Sequence, residues 1–553
     1  MNTAAITIAS VEFPRAFFLP GEPVHWVVNL KNTLTTPQAV TLRVRITYLT
    51  QTLLELERSL SLSEGLSPVE FVWQAEEKAP RGYGMDLVLS TSDGQILSTY
   101  STAFDVLAHW TQMPRYGFLS DFAPDRQNLE ATFRSLMKYR INALQFYDWM
   151  YRHEQFLTPQ EPYPDPLGRT LSRRTVEALI AAAHARGIAA MPYTSIYAAS
   201  VAFYQQHPDW ALYRPEGQPY VLGENFLVYM DPRPGSPWSQ HLLAQFDDVL
   251  TRTAFDGIHL DQYGDPKDAY DAQGHHFGLA EPLAALINAT REHVRRLRPD
   301  GSVVFNAVGN WPIETVASAG QDIVYIEVWP PYTSFDALHT LITQAQQLGG
   351  GKAVVLAAYI DPTYEVNARL MDAVILASGG THIEFGEQEG YLAEPYFPHY
   401  KLLPPTLGEA LRRYQDFAIR YQNAFGPLAH ESTFNYLQRL TLPGVEISPS
   451  LQWNKVYPLV RDGDAFTAIS LINLVGLSSG EWNQPLTRSP FPLLHQPVLL
   501  RGVSQPVRYV GWASPDTQDL SPIPLVFRQE GDQLSLQIPF LHYWGLILLE
   551  WSK

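Results

Sequence analysis

The chain contains no cysteine, which excludes a disulfide framework, a thiolate nucleophile and any cysteine-based metal site, so the fold must stand on packing alone. It has no run of about 18 apolar residues, the length a membrane-crossing helix needs, and Met1–Ser10 has neither a basic start nor a sustained apolar stretch. As written, the sequence reads as cytoplasmic; had an export signal been removed, it would read the same, as a secreted protein. Basic side chains are in the minority, 39 Lys and Arg against 56 Asp and Glu, for a formal charge of −17. That balance argues against nucleic acid or an anionic membrane surface as partner and favours a neutral or cationic ligand. There is no His-Glu-x-x-His, no His-x-His on the first expected barrel strand and no tandem repeat. The glycines of Asp256-Gly257 and Gly349–Gly351 enter a strand and leave a helix, so neither group reads as a phosphate cradle.

What is present is ordinary globular composition, 46% hydrophobic and 17% charged over 553 residues, too long for a single common core. Three domains are expected: an immunoglobulin-like β-sandwich over 1–108, a (β/α)8 TIM barrel over 109–428 and an all-β sandwich over 429–553. The first shows short alternating runs such as Thr41–Thr47 and Met85–Ser90, punctuated by turn signals at Pro20-Gly21 and Asp93-Gly94. In the second, a strand of four to six residues, a loop and an amphipathic helix recur about eight times. The expected barrel strands are 115–119, 143–146, 189–192, 257–260, 303–305, 323–326, 353–356 and 381–385. Beyond about 430 the short alternating pattern returns, as in Phe466–Ser470 and Gln533–Ile538.

Barrel enzymes carry their sites at the carboxyl ends of the strands, and those positions are polar and aromatic here: Asp121, Tyr147-Asp148-Trp149, Tyr193, Asp261-Gln262-Tyr263, Asn306, Glu327-Val328-Trp329, Tyr359-Ile360-Asp361 and Glu384. Acids are poor core formers at a strand end. Strand alternation places His259 with Asp261 on one face, and Tyr325 with Glu327 likewise. Two acids from different strands facing one cleft, with aromatic walls around them, suit glycoside hydrolysis, which needs one carboxyl at the anomeric carbon and one at the leaving oxygen. Asp261 and Glu327 are the candidate pair.

Three segments, Phe146–His153, Phe255–Gly264 and Tyr325–Trp329, within a frame of β-domain, barrel and β-domain, resemble glycoside hydrolase family 66, the dextranases and cycloisomaltooligosaccharide glucanotransferases. The resemblance spans nearly the whole chain. It implies a retaining enzyme acting on α-1,6-glucan such as dextran or isomaltooligosaccharide, with no cofactor, with Asp261 as nucleophile and Glu327 as acid/base. The family's glucanotransferases carry a carbohydrate-binding insert after the seventh strand, and the roughly 25 residues between Leu356 and Thr381 leave no room for it, which favours hydrolysis over cyclisation.

Other readings stay open on the sequence. Asp261 could cap a turn, and Glu384, Glu387 or Glu389 could supply the proton in place of Glu327. Asp121, Asp148 and Asp361 are candidate sugar-binding or supporting acids; Tyr147, Trp149, Tyr193, Tyr263 and Trp329 are candidate stacking platforms. Gln262, Asn306 and Glu384 are taken as further substrate contacts, and so is His259, with burial in the barrel as its alternative. A transglycosylase of the same family and a catalytically silent carbohydrate-binding protein remain as rival functions. The sequence does not specify oligomeric state.

Overall fold

The computed structural model describes residues 5–224, 226–426 and 429–552. The expected boundary at 428 lies in 427–428, outside the described residues.

The amino-terminal region forms two antiparallel sheets, one of three strands (Ile6–Glu12, Pro23–Asn32, Gly65–Gln74) and one of four (Gln38–Tyr48, Gln51–Leu62, Arg81–Thr91, Ile96–Val106). Their alternating apolar positions turn inward to a core that includes Trp26, Val28, Leu42, Val44 and Met85, with the Trp26 and Phe71 rings stacked 5.3 Å apart. The carboxyl-terminal region likewise pairs a six-stranded with a four-stranded sheet over Val460, Leu471, Trp512, Ile538 and Ile547.

Between them lies an eight-stranded parallel sheet. Its strands are β1 (Tyr116–Leu119), β2 (Ala143–Phe146), β3 (Ala189–Ser195), β4 (Gly257–Asp261), β5 (Ser302–Val308), β6 (Ile323–Glu327), β7 (Val354–Ala357) and β8 (Thr381–His382). A parallel bridge between Phe118 and Gly386 closes the ring, with the Phe118 amide donating to the Phe385 carbonyl at 3.1 Å. All eight expected strands are found. Arg115 falls just outside β1, because its guanidinium turns to Asp105 of the amino-terminal sandwich at 2.7 and 3.1 Å. Strand β8 is shorter than expected, since the chain past His382 leaves the ladder.

The helices start where local chemistry lets them. Ser236 caps α1 (Pro237–Arg252), with Pro at its first turn, and Ser334 caps α2 (Phe335–Leu348). Helix α3 (Glu365–Ala377) alone fills the connection from β7 to β8. Helix α4 (Pro405–Arg420) follows β8 and carries Arg420 into the amino-terminal sandwich. Among the described residues no helix is long and apolar enough to cross a membrane.

Candidate active site

Inward-facing residues of the barrel stack in layers. The lower one holds Tyr116, His259 and Tyr325: the Tyr116 hydroxyl and His259 Nδ1 are 2.9 Å apart, and the His259 and Tyr325 rings meet edge to face at 5.0 Å. Burial pushes His259 down to about 3, so it is a neutral imidazole sealed inside the barrel. One step further along each strand, Asp261, Asn306 and Glu327 form the next layer, at the carboxyl ends where the barrel opens.

One nitrogen joins the two candidate acids. Asn306 Nδ2 donates to Asp261 Oδ1 at 2.8 Å and to Glu327 Oε2 at 3.0 Å, which holds those oxygens within about 6 Å of each other, short of the ~6.5–9.5 Å of an inverting pair. The Tyr193 hydroxyl donates to the other oxygen of Asp261 at 2.7 Å, and the Tyr359 hydroxyl donates to Glu327 Oε1 at 2.8 Å. Burial first, and the Glu327 charge second, push Asp261 up to about 7; burial also raises Glu327, against the pull of Asn306 and Tyr359. Two carboxyls that repel across so short a gap titrate as a unit and keep one proton between them up to neutral pH.

The remaining candidates divide by accessibility. Trp329 is 38% exposed, with its ring 6.1 Å from Tyr359. Tyr263 lies half-buried with its hydroxyl 2.8 Å from Ser195 Oγ. Tyr147 packs between Tyr193, at 4.9 Å, and Phe397, stacked at 4.3 Å. Asp148, in a left-handed backbone conformation with φ 51°, is pushed up to about 7 by burial, with Arg169 nearby pulling the other way. Asp121 lies at the rim and accepts from the Ala123 amide at 3.0 Å. Asp361 caps Thr363 at 2.9 Å and pairs with Lys401.

Four candidates have fully buried side chains engaged with protein partners, against the expectation of direct sugar contact. Trp149 is fully buried, its indole donating to the Tyr193 carbonyl at 3.1 Å. His259 sits beneath Asp261, as above. Gln262 is buried and spends its amide on the Asn306 and Trp311 carbonyls, both at 3.2 Å. Glu384 is fully buried beside His382 and Asp372. The rival proton donors are also taken: Glu387 accepts from the Ser120 and Asp121 amides at 2.9 and 3.0 Å and pairs with Arg126, and Glu389 pairs with Lys138 at 3.0 Å.

Two contributors escaped the candidate set. Tyr359 stands two residues past β7, so the strand-end rule exposes it, although nothing in the sequence says its hydroxyl turns to Glu327. Phe397 comes from a long excursion after β8, and no local signal brings it against Tyr147.

The sequence profile described as glycosyl hydrolase family 66 matches residues 13–548. A cycloisomaltooligosaccharide glucanotransferase of Niallia circulans is 24% identical over an alignment covering 99% of this chain and 72% of that protein. A dextranase of Streptococcus salivarius is 23% identical over 73% of this chain and 57% of its own length. The structure of a Paenibacillus cycloisomaltooligosaccharide glucanotransferase complexed with cycloisomaltoheptaose superposes with a TM-score of 0.92 at 22% identity, covering 98% of this chain and 100% of that one. A maltogenic α-amylase of Thermotoga neapolitana shares the fold more loosely, with a TM-score of 0.52 at 10% identity over 80% of this chain and 99% of its own.

Proposed function

Because this chain belongs to glycosyl hydrolase family 66, we propose that it is a retaining endo-hydrolase of α-1,6-glucosidic linkages in dextran or isomaltooligosaccharides, working through a glucosyl-enzyme intermediate. The observation that carries this reading is the Asn306 bridge, which holds Asp261 and Glu327 close enough for a double displacement.

With glucan bound, Asp261 is the ionised partner and Glu327 the protonated one. An Asp261 oxygen attacks the anomeric carbon as the bond to the glycosidic oxygen breaks, and Glu327 passes its proton to that oxygen, releasing the shortened chain. The Tyr193 hydroxyl and Asn306 hold the attacking carboxylate in place. Once Asp261 is esterified its charge is gone, and the repulsion that favoured protonated Glu327 is relieved. Glu327 then takes a proton from water, the hydroxide oxygen bonds to the anomeric carbon, and Asp261 leaves as carboxylate. Tyr263 and Trp329 line the approach and supply apolar faces for glucose rings.

Transfer to a sugar acceptor in place of water is the second reading. It is favoured by the glucanotransferase relatives that align over nearly the whole chain. Hydrolysis is favoured by the direct β7–α3–β8 connection, which has no room for an inserted module.

Dextran digestion followed by proton NMR and product sizing tests both. Hydrolysis with retention gives α-configured reducing ends first and linear products; β-configured ends would refute the double displacement, and cyclic or lengthened products would favour transfer. Asp261→Asn and Glu327→Gln should each lower kcat about 10³-fold or more with the fold intact, and azide should partly restore Glu327→Ala on a substrate with an activated leaving group. A protein that binds dextran but yields no new ends is a binding module.

A further inference from the structure

Where α3 packs on β8 lies a second cluster that the proposed cleavage does not use. His382 and Glu384 are two residues apart at β8, and Asp372 reaches them from α3; all three side chains are buried. His382 Nδ1 is 3.2 Å from Asp372 Oδ1 and 3.3 Å from Glu384 Oε2. A charge-assisted hydrogen bond would close to about 2.7–2.9 Å. The observed spacings also match the edges of a tetrahedron, about 3.3 Å when ligand bonds are ~2.0–2.1 Å long.

The other ring nitrogen, Nε2, lies 3.0 Å from the Ala358 carbonyl. With the Nε2 proton donated there, exchange of the Nδ1 proton for a cation would turn the Nδ1 lone pair toward the carboxylates, the tautomer a metal-bound histidine adopts. Asp372 Oδ2 and the Tyr391 hydroxyl are buried without close hydrogen-bond partners among the described residues, and Glu384 Oε2 has only the 3.3 Å contact to His382 Nδ1; the Tyr391 ring is 6.5 Å from that of His382. Such groups are costly to leave unsatisfied. Two carboxylates packed around one imidazole also carry negative charge that a dication would cancel.

We propose that Asp372, His382 and Glu384 form a structural site for one divalent cation, of which zinc fits best, with the Tyr391 hydroxyl or the second Asp372 oxygen in the fourth position. Zinc accepts mixed imidazole and carboxylate ligands in four-coordinate geometry, whereas calcium demands six or more oxygens that this cluster lacks. The cation would tie α3 to β8 and, through Ala358, to the chain that presents Tyr359 to Glu327. It touches no reacting atom.

The test uses tag-free full-length protein, dialysed into metal-free buffer and measured by inductively coupled plasma mass spectrometry. A sample is then unfolded in guanidinium with a chelator, freed of both and refolded with or without micromolar zinc chloride. The expected result is about one zinc per chain, either as purified or after refolding, a Tm several degrees higher with zinc than without, and tetrahedral visible bands when cobalt is used instead. Asp372→Asn and His382→Gln should lose the bound zinc. Wild-type protein that refolds with less than about a tenth of an equivalent and a Tm indifferent to zinc would overturn the assignment, because those readings do not depend on any variant folding. Stoichiometric calcium in the absence of zinc uptake would overturn it equally.

Discussion

At the scale of single residues, the acids sort by their neighbours. Asp261 and Glu327 face one opening, share Asn306 and are each held by a tyrosine hydroxyl, while Glu387 and Glu389 are occupied by amides and basic side chains. A pair that keeps one proton should give a bell-shaped pH dependence of kcat/KM whose basic limb, near 7, marks loss of the proton the two carboxyls share and Glu327 must donate. Stability carries the same signature with a definite sign. The folded Asp261 holds its proton to about 7, whereas unfolded aspartate loses it near ~4. Its contribution is therefore fully present below about 4 and lost as pH rises through about 7. Asp261→Asn should thus melt about 1 to 3 °C above the wild type at pH 8 and show no such gain at pH 4, by scanning calorimetry. A gain independent of pH would refute the burial of a strained carboxylate.

At the scale of elements, β4 presents Asp261 only because its first residue has no side chain. A Cβ on Gly257 would lie 1.9 Å from the Ser302 carbonyl of β5, so the pairing of β4 with β5 requires glycine there. Gly257→Ala should force the strands apart, cost about 3 kcal/mol or more in denaturant unfolding and lower kcat more than the distance of the substitution from the cleft suggests. Normal stability and activity would show that the two strands can separate freely. The loop after β6, which carries Trp329, is clamped from the carboxyl-terminal region. Trp482 Nε1 donates to the Tyr332 carbonyl at 2.8 Å, its amide donates to the Thr333 carbonyl at 2.9 Å, and Asn367 of α3 binds the Trp482 carbonyl at 2.8 Å. The loop that follows the acid/base is therefore set by a strap from a β-domain as well as by the barrel.

At the scale of the molecule, the amino-terminal sandwich is joined to the barrel through buried charge. Arg420 of α4 is fully buried and binds Asp86 of the sandwich at 2.7 and 2.9 Å; Arg115 binds Asp105 in the same way. Removing one partner of such a pair leaves an uncompensated charge in a dry interior. Asp86→Ala should destabilise the protein by about 3 to 5 kcal/mol, seen as a lower denaturant midpoint, while leaving Asp261 and Glu327 in place. A change below about 1 kcal/mol would mean that water reaches Arg420.

The sequence by itself determined the periodicities, and with them the eight barrel strands, the flanking all-β regions and the positions of Asp261 and Glu327 at strand ends, because side-chain alternation and strand termini are local properties of the chain. Only the tertiary structure decided which polar residues meet. It turned Asn306 and Tyr359 onto the acids, buried His259, Gln262, Trp149 and Glu384 behind them, and brought Asp372 to His382. Those outcomes depend on barrel closure and on loops that cross between elements, where residues far apart in sequence compete for the same buried partners.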